Sequence, residues 1–359
     1  MKFTNEQIKM IRDESKQMDQ TGQISSNLLQ FIYDHQLFKL IVPEELGGKM
    51  LDLPSAAKVF QDASYIDGNF GWAVTIGVGG GMFVPNMSEQ AMEACYQPSN
   101  AVIAGSGFPA GAAKPVENGY IINGKWFYCS GAQFATTFTA SCIVENEKEE
   151  MLAFAFNPEQ VDIMEDWNAF GLRGTSSHSI QITDQFVPTE RVFSVFEHQN
   201  EFGGPVHTFP FAMFAETSFA AITLGIGQHF LEEVSDLLDE NKQRWEKGPV
   251  NRYALLKNKL DNEKERWLKA NNTFHDMLKK VWDRHMQSEE ITETQQQEFS
   301  TVAKRCATTS IHCANNLFRH VGMQAVMENN SLNLIWRDLH TAGQHMFLTP
   351  HHEIESQPY

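Results

Sequence analysis

The sequence predicts a mostly helical α+β fold, because the spacing of its apolar residues changes twice along the chain. Residues 5 to about 98 show the helical period. From about 100 to 195 the apolar runs become short and rich in β-branched and aromatic residues, as in strands. From 208 onward the helical period returns. These changes predict three domains: N-terminal helical at 1–99, central β at 100–207 and C-terminal helical bundle at 208–359.

The first helix has a clear start signal. Thr4 and Gln7 have the spacing of a capping box, in which each side chain bonds to the backbone of the other residue. Ile8, Ile11 and Met18 follow on one side. We expect an amphipathic helix that packs these side chains against the core.

Five strands are predicted in the central region, each bounded by turn residues. They are Tyr120–Ile122, Phe138–Val144, Met151–Phe156, Ser179–Ile182 and Phe186–Val187. The charged run ENEKEE at 145–150 is typical of a solvated hairpin tip. The stretch GSGFPAGAAKPVENG after Ala104 is rich in glycine, alanine and proline, and we expect a loop there.

The C-terminal region combines a long charged helix with a polar cluster. The run NKLDNEKERWLKANNTFHDMLKKVWDRH predicts a helix of about thirty residues, ~45 Å long, as in antiparallel bundles. Near the end, WRDLHTAGQH places Arg337 and Asp338 about 100° apart on a predicted helix, so they cannot pair with each other. Each needs a partner in another element, another subunit or a ligand. His345, seven residues after Asp338, is expected on nearly the same side of that helix.

Composition indicates a large cytoplasmic enzyme. The 359 residues are 42% hydrophobic, enough to fill several layers. The net charge of −17 argues against nucleic acid or an anionic membrane as a partner. No apolar run has the ~20 residues of a membrane span, and the N-terminus lacks the apolar core of a signal peptide. Five cysteines without a disulfide or metal pattern indicate reduced thiols and no metal.

Four motifs in order resemble the acyl-CoA dehydrogenase superfamily of flavoproteins. They are VPEELGG at 42–48, GYIINGKWFYCSGAQFA at 119–135, WNAFGLRGTSSHSIQITDQFVP at 167–188 and WRDLHTAGQH at 336–345. Each is weak alone, but four in order over 300 residues are a strong signal. The resemblance implies an N-terminal helical domain, a central antiparallel β-barrel or sandwich, a C-terminal four-helix bundle, and bound FAD or FMN.

A flavin ring must be clamped on one face and hydrogen-bonded along its polar edge. The resemblance assigns this role to the strand end at 127–131, with Phe127, Cys129, Ser130 and Gly131 as binding residues. Backbone N–H groups and the Ser130 hydroxyl would lie near N5 and O4 of the ring. The alternative is a simple β-turn, since Ser-Gly is a common turn dipeptide.

A second flavin-binding segment is expected at 171–177. Arg173, Thr175 and Ser176 offer a cation and two hydroxyls suited to a flavin phosphate. The alternative is an ordinary polar loop between strands.

The chain departs from fatty acyl-CoA dehydrogenases in three places. The YEG-type motif that carries their glutamate base is absent after Asp338; Glu353 and Glu355 lie in a terminal polar segment without that context. Neither the R-x-x-FG pattern nor the TEP-x-AGSD run is present. Glu216, an isolated carboxylate on an apolar helix, remains an alternative base for a dehydrogenase.

The SG turn combined with RDLH-T-A-x-x-H instead resembles the two-component, reduced-flavin-dependent monooxygenases. The resemblance implies that a separate reductase supplies reduced FMN or FAD, which reacts with O₂ to give a C4a-(hydro)peroxyflavin that oxygenates a small aromatic or heterocyclic compound. His345 and Ser130 would act at that step, His345 as base or peroxide partner. A non-catalytic binding protein is the third hypothesis.

Aromatic residues near these motifs are expected to wall the substrate pocket. They are Trp72, Phe108, Trp167 and Phe170, although aromatics also serve as plain core. The family resemblance implies a homotetramer, a dimer of dimers joined through the C-terminal helices.

Overall fold

The computed structural model describes residues 2–247 and 250–349, and within them it confirms the predicted mostly helical α+β class. The helices before the sheet are α1 (Asn5–Thr21), α2 (Ser26–Asp34), α3 (Leu53–Ile66), α4 (Gly68–Gly79) and α5 (Glu89–Tyr96). Those after it are α6 (Phe211–Glu246), α7 (Arg252–Met286), α8 (Glu293–Val321) and α9 (Ser331–Ala342). Within the described ranges, no helix has the length and apolar character needed to cross a membrane.

The described strands form one seven-stranded sheet in the order β5-β6-β2-β1-β3-β4-β7. They are β1 (Ile103–Val116), β2 (Gly119–Cys129), β3 (Thr137–Val144), β4 (Met151–Phe156), β5 (Asp162–Ile163), β6 (His178–Pro188) and β7 (Val192–Phe193). The sheet is mixed, because β1 and β3 pair in parallel while the other neighbours are antiparallel. After the β1–β2 hairpin, the chain crosses to the other edge of β1.

The expected loop after Ala104 is wrong, because this stretch forms the long strand β1. Its small residues serve packing: a Cβ on Gly111 would lie 2.2 Å from the Trp126 ring of the neighbouring strand. Pairing with β3 is irregular between Ser106 and Gly111. The intervening residues leave the ladder, and the Phe108 side chain is 72% exposed.

The first helix confirms its sequence signal. Both hydrogen bonds of the capping box between Thr4 and Gln7 are present. Ile11 and Met18 are fully buried, and Ile8 packs against the same core.

The helices before and after the sheet share one continuous hydrophobic core. Helices α3 and α6 approach so closely that a Cβ on Gly225 would lie 2.3 Å from the Gln61 carbonyl oxygen. A separate core lies within the sheet. The order helices, sheet, helices agrees with the changes in sequence period, and the three domain boundaries stay a prediction.

His345 does not lie on the last helix, so the expected placement was wrong. Helix α9 ends at Ala342, and His345 follows in a turn where its carbonyl accepts the Leu348 N–H. Its position therefore does not follow from helical spacing relative to Asp338.

Arg337 and Asp338 do find partners elsewhere, and these partners lie in the same chain. Arg337 makes two hydrogen bonds to the Asp19 carboxylate of α1, at 2.8 and 2.9 Å, and also donates to the Phe170 carbonyl. Only 12–13% of either charged side chain is exposed. This bidentate pair fastens α9 to α1 with little solvent screening.

The Asp19→Asn substitution is expected to lower the free energy of unfolding by about 2–3 kcal/mol, because it leaves the Arg337 cation nearly buried and unpaired. Asp13→Asn, on the same helix, is the matched control. Asp13 pairs with Lys9, but both side chains are well exposed, so the loss should stay below about 0.5 kcal/mol. Urea denaturation followed by circular dichroism measures both, and equal losses would contradict the expectation.

Candidate active site

A cavity of about 220 Å³ lies where α4, the sheet, α6 and the turn after α9 meet. Its aromatic walls are Phe83, Phe193, Phe211, Phe214, Phe219 and Phe347. Its hydroxyl-bearing residues are Thr75, Ser106, Thr139, Ser141 and Ser218. Among the described residues that line it, His345 carries the only imidazole, and there is no carboxylate, ammonium or guanidinium group.

The His345 ring is held within a cluster of aromatic rings. It stacks on Phe219 with ring centroids 3.5 Å apart, and it lies 5.7 Å from Phe347 and 6.0 Å from Trp72. Burial lowers the pKa of His345 to about 4. The ring is therefore neutral near pH 7.

The strand end at 127–131 begins with a bulge. Pairing of β2 with β6 shifts between Trp126 and Cys129, so the rings of Phe127 and Tyr128 are 55% and 75% exposed. Bulges commonly re-aim side chains next to active sites. The Cys129 thiol points into the core, and burial raises its pKa to about 12.

Gly131 makes the turn that follows the bulge. It has a φ of +84°, which favours glycine. Its N–H donates to the Thr175 carbonyl at 2.9 Å, and the Ser130 N–H donates to the Tyr128 carbonyl. Two of the backbone donors expected to face a flavin are therefore already used within the protein.

Ser130 connects the turn to α4 and to the 171–177 loop. Its Oγ accepts the Trp72 indole N–H at 3.0 Å and lies 2.7 Å from the Ser177 hydroxyl. Because Trp72 also contacts His345, three predicted site residues come together here.

The 171–177 loop turns two of its predicted cofactor-binding side chains inward. Thr175 and Ser176 are each 1% exposed. Thr175 donates to the Leu172 carbonyl, and Ser176 donates to the Gln133 side chain. Arg173 is half-buried, and its side chain has no hydrogen-bond or ion-pair partner within the described ranges.

Asp338 holds this loop in place. Its carboxylate accepts the Leu172 N–H at 2.5 Å and the Asn69 side-chain N–H at 3.2 Å. The Asn69 carbonyl oxygen in turn accepts the Gly174 N–H at 2.8 Å. Burial, together with the charge of Asp67, raises the pKa of Asp338 well above its usual range.

Glu216 lies apart from the cavity wall, although its neighbours on α6, Ala215 and Ser218, line it. The Glu216 carboxylate accepts the Ser300 hydroxyl and lies 3.8 Å from Lys304, both on α8. Burial raises the pKa of Glu216. Its contacts are those of a link between bundle helices.

None of the four predicted pocket aromatics is among the described residues that line the cavity. Trp72 contacts the lining residues Phe219 and His345, and Phe108 is exposed. Trp167 contacts the Tyr128 ring at 6.3 Å and donates its indole N–H to the Leu172 carbonyl. Phe170, 51% exposed, contacts Trp336.

Sequence reasoning missed three residues that build the site: Asn69, Ser177 and Phe219. Asn69 lies in the predicted N-terminal helical region, and Ser177 ends the predicted 171–177 segment. Their polar character was visible, but their partners lie far away in the sequence. Phe219 belongs to an apolar helix where nothing local distinguishes a cavity wall from core.

The groups around Ser130 fit an isoalloxazine ring. Such a ring needs a hydrogen-bond partner at its polar edge and apolar groups at its faces. The buried Ser130 hydroxyl can supply the first, and the two exposed aromatic side chains on the bulge and the neighbouring apolar cavity can supply the second. Arg173 offers a cation without a partner in the described part of the chain for a flavin phosphate.

Comparisons with known proteins agree with this fold. Residues 217–350 match the family model "Acyl-CoA dehydrogenase, C-terminal domain". The chain is 20% identical over 336 residues to the indole-3-acetate monooxygenase of Acinetobacter baumannii, covering 92% of this chain and 86% of that protein. It is 26% identical over 226 residues to HsaA of Rhodococcus jostii, the oxygenase subunit of a flavin-dependent monooxygenase, covering 60% and 59%.

A solved structure shows the same fold over nearly the whole chain. XiaF from Streptomyces sp., in complex with FADH₂ and glycerol, superposes with a TM-score of 0.87 at 18% identity, covering 97% of this chain and 91% of that one. The family match at the C-terminus and the shared fold agree with the resemblance of the sequence motifs to the acyl-CoA dehydrogenase superfamily.

Proposed function

We propose that this chain is the oxygenase component of a two-component monooxygenase that uses reduced FAD or FMN and O₂ to hydroxylate a small, neutral aromatic or heteroaromatic compound. The cavity beside His345 carries the proposal, because it is lined by phenylalanines and hydroxyls without a charged group among the described residues. A glutamate base for acyl-CoA desaturation is missing from that described wall. Glu353 and Glu355 lie outside the described residues.

The size of the cavity supports a one- or two-ring substrate. A closed cavity of about 150 Å³ binds benzene, and this one has about 220 Å³. Burying a carboxylate among phenylalanines without a cation would be costly. We therefore expect a neutral ring to be preferred over an aryl carboxylate.

The reaction balances with one flavin and one O₂. Bound reduced flavin supplies the two electrons; one oxygen atom enters the substrate, and the other leaves as water. The protein excludes water with its phenylalanine walls, and Phe127 and Tyr128 would contact the flavin. Arg173 would bind its phosphate.

His345 would act as a neutral hydrogen-bond donor rather than as a strong base. Its Nδ1 accepts the Phe347 N–H at 3.4 Å, so the single proton of the neutral ring lies on Nε2. Within the described ranges Nε2 has no hydrogen-bond partner. It is free to donate to an oxygen atom that gains negative charge in the cavity.

A separate reductase and a cytoplasmic location complete the proposal. One relative is named as an oxygenase subunit, which supports a second protein that delivers reduced flavin. All five cysteines are free and buried, which supports a reducing compartment.

A homotetramer is supported by large apolar side chains that are exposed on this chain, among them Tyr128 and Phe170 at 75% and 51%. Tyr128 contacts Trp167, and Phe170 contacts Trp336. Met323 beyond α8 is 78% exposed. Large exposed apolar side chains are typical of surfaces between subunits.

The proposed reaction is tested by mixing the protein with anaerobically reduced flavin and a neutral substrate such as indole, and then adding ¹⁸O₂. We expect a product with one labelled oxygen atom, detected by mass spectrometry, and a lower yield with indole-3-acetate. Straight-chain acyl-CoAs with an electron acceptor form the second arm. Rapid acyl-CoA turnover that is lost in Glu216→Gln would instead favour the dehydrogenase alternative.

His345→Ala is expected to lower kcat by about 10²–10³, the usual effect of removing one preorganised donor. His345→Gln should retain more activity, because an amide N–H can replace Nε2–H. Because burial lowers the pKa of His345 from 6.5 to about 4, its ring stays neutral as the pH falls through 6.5, and we expect no loss of turnover from its protonation there. Protonation of His345 should lower turnover only as the pH approaches 4. Activity of the alanine variant within twofold of wild type would remove His345 from the mechanism.

Light scattering at micromolar concentration is expected to give four times the 40.7 kDa mass of the chain. Replacing exposed Met323 with glutamate should shift the mass toward smaller species, because a charge would be buried at the subunit surface. Glu159→Gln on the surface serves as a control. A wild-type mass near 40.7 kDa would contradict the tetramer.

A further inference from the structure

A line of hydrogen bonds runs from α4 through the SG turn into the 171–177 loop. Trp72 Nε1–H donates to Ser130 Oγ at 3.0 Å, and Ser130 Oγ lies 2.7 Å from Ser177 Oγ. Ser177 Oγ lies 2.7 Å from Thr175 Oγ1, which donates to the Leu172 carbonyl at 2.8 Å. The four side chains are all buried, with at most 9% of any of them exposed.

The two ends of this line fix the direction of every bond. An indole N–H can only donate and a carbonyl oxygen can only accept, while each hydroxyl has one proton. The Thr175 proton is used on the Leu172 carbonyl, so Ser177 must donate to Thr175. Ser130 must therefore donate to Ser177.

Ser130 is consequently left as an acceptor. Its proton is directed to Ser177, one lone pair accepts the Trp72 N–H, and one lone pair remains. Because these groups are buried, water cannot easily reverse the bonds. Ser130 is not among the described residues that line the cavity, but its donor Trp72 contacts two residues that are, Phe219 and His345. Ser130 therefore lies next to the candidate site.

We propose that Thr175 and Ser177 are positioning residues that hold Ser130 as a hydrogen-bond acceptor and thereby select the reduced flavin over the oxidised flavin. This rests on the proposed function. N5 of a reduced flavin carries a hydrogen atom, whereas N5 of an oxidised flavin carries only a lone pair. An acceptor that meets N5 attracts the first form and repels the second.

The Leu172 carbonyl keeps the hydrogen bonds pointing from Ser130 to Ser177 to Thr175. It accepts the Trp167 indole N–H at 2.9 Å, the Thr175 hydroxyl at 2.8 Å and the Thr175 backbone N–H at 3.3 Å, so both of its lone pairs are used. The Leu172 N–H is bonded to buried Asp338. The acceptor that orients the whole line is thus held by α9 and by the loop itself.

The test is the ratio of the dissociation constants of oxidised and reduced flavin, measured by fluorescence titration and by anaerobic calorimetry. Thr175→Val keeps the shape of the side chain but removes the hydroxyl that fixes Ser177. Ser177 can then donate to Ser130, whose own proton becomes available to the flavin. We expect the ratio to fall about tenfold, which equals a potential of the bound flavin lower by about 30 mV.

Thr175→Ser is the matched control, since it keeps the hydroxyl and should keep the wild-type ratio. Ser177→Ala removes the acceptor of the Ser130 proton and should also lower the ratio, which provides a second variant if Thr175→Val fails to fold. Melting temperatures monitor folding in all three variants.

The outcomes distinguish the inference from the proposed function. A lower ratio in Thr175→Val and Ser177→Ala, with Thr175→Ser unchanged, supports the inference. Equal weakening of both redox forms would mean that Thr175 only supports the loop or binds the flavin directly, and would overturn the inference alone. Failure of the unmodified protein to bind either form would overturn the proposed function itself.

Discussion

The buried carboxylate of Asp338 is the contact on which the candidate site depends. Through the Leu172 N–H and the Asn69 side chain it joins α9, the 171–177 loop and α4. A buried carboxyl group without hydrogen-bond partners is costly, so its hydrogen bonds strongly favour one arrangement of these three elements. If the loop moved, Thr175 and Ser177 would no longer reach Ser130.

Two glycines make this arrangement possible. A Cβ on Gly68 would lie 2.9 Å from the Asp338 side chain, and a Cβ on Gly171 would lie 2.2 Å from the Arg337 carbonyl oxygen. The loop and α4 can therefore approach α9 at backbone distance. Arg337, the neighbour of Asp338, projects about 100° around the helix from it and binds Asp19 of α1. These two adjacent residues of α9 therefore bind α1, the 171–177 loop and α4.

The chemistry of the site follows from low polarity combined with a few directed hydrogen bonds. Phenylalanine walls exclude water, and burial keeps His345 neutral. A neutral donor and an oriented acceptor, both in contact with Trp72, suit a reaction in which charge changes on oxygen atoms rather than one that removes a carbon-bound proton. Glu216 is not among the described residues of the cavity wall, and its hydrogen bond to Ser300 connects α6 to α8.

The sequence by itself determined the fold class, the capped first helix and the family resemblance, because periodicity, capping spacing and motif order are local properties. It also established that Arg337 and Asp338 need separate partners, which follows from helix geometry alone. The predicted loop at β1 was wrong, because the close approach of the Trp126 ring to Gly111 and of the Thr139 carbonyl to Gly105 depends on neighbouring strands. The predicted position of His345 on the last helix was wrong, because α9 ends at Ala342 and His345 lies in the turn that follows. Only the tertiary structure decided the direction of the hydrogen bonds from Trp72 to the Leu172 carbonyl. Trp72 is separated from Ser130 by 58 positions in the sequence, and Ser130 from Ser177 by 47, so no local pattern shows which hydroxyl donates its proton to which.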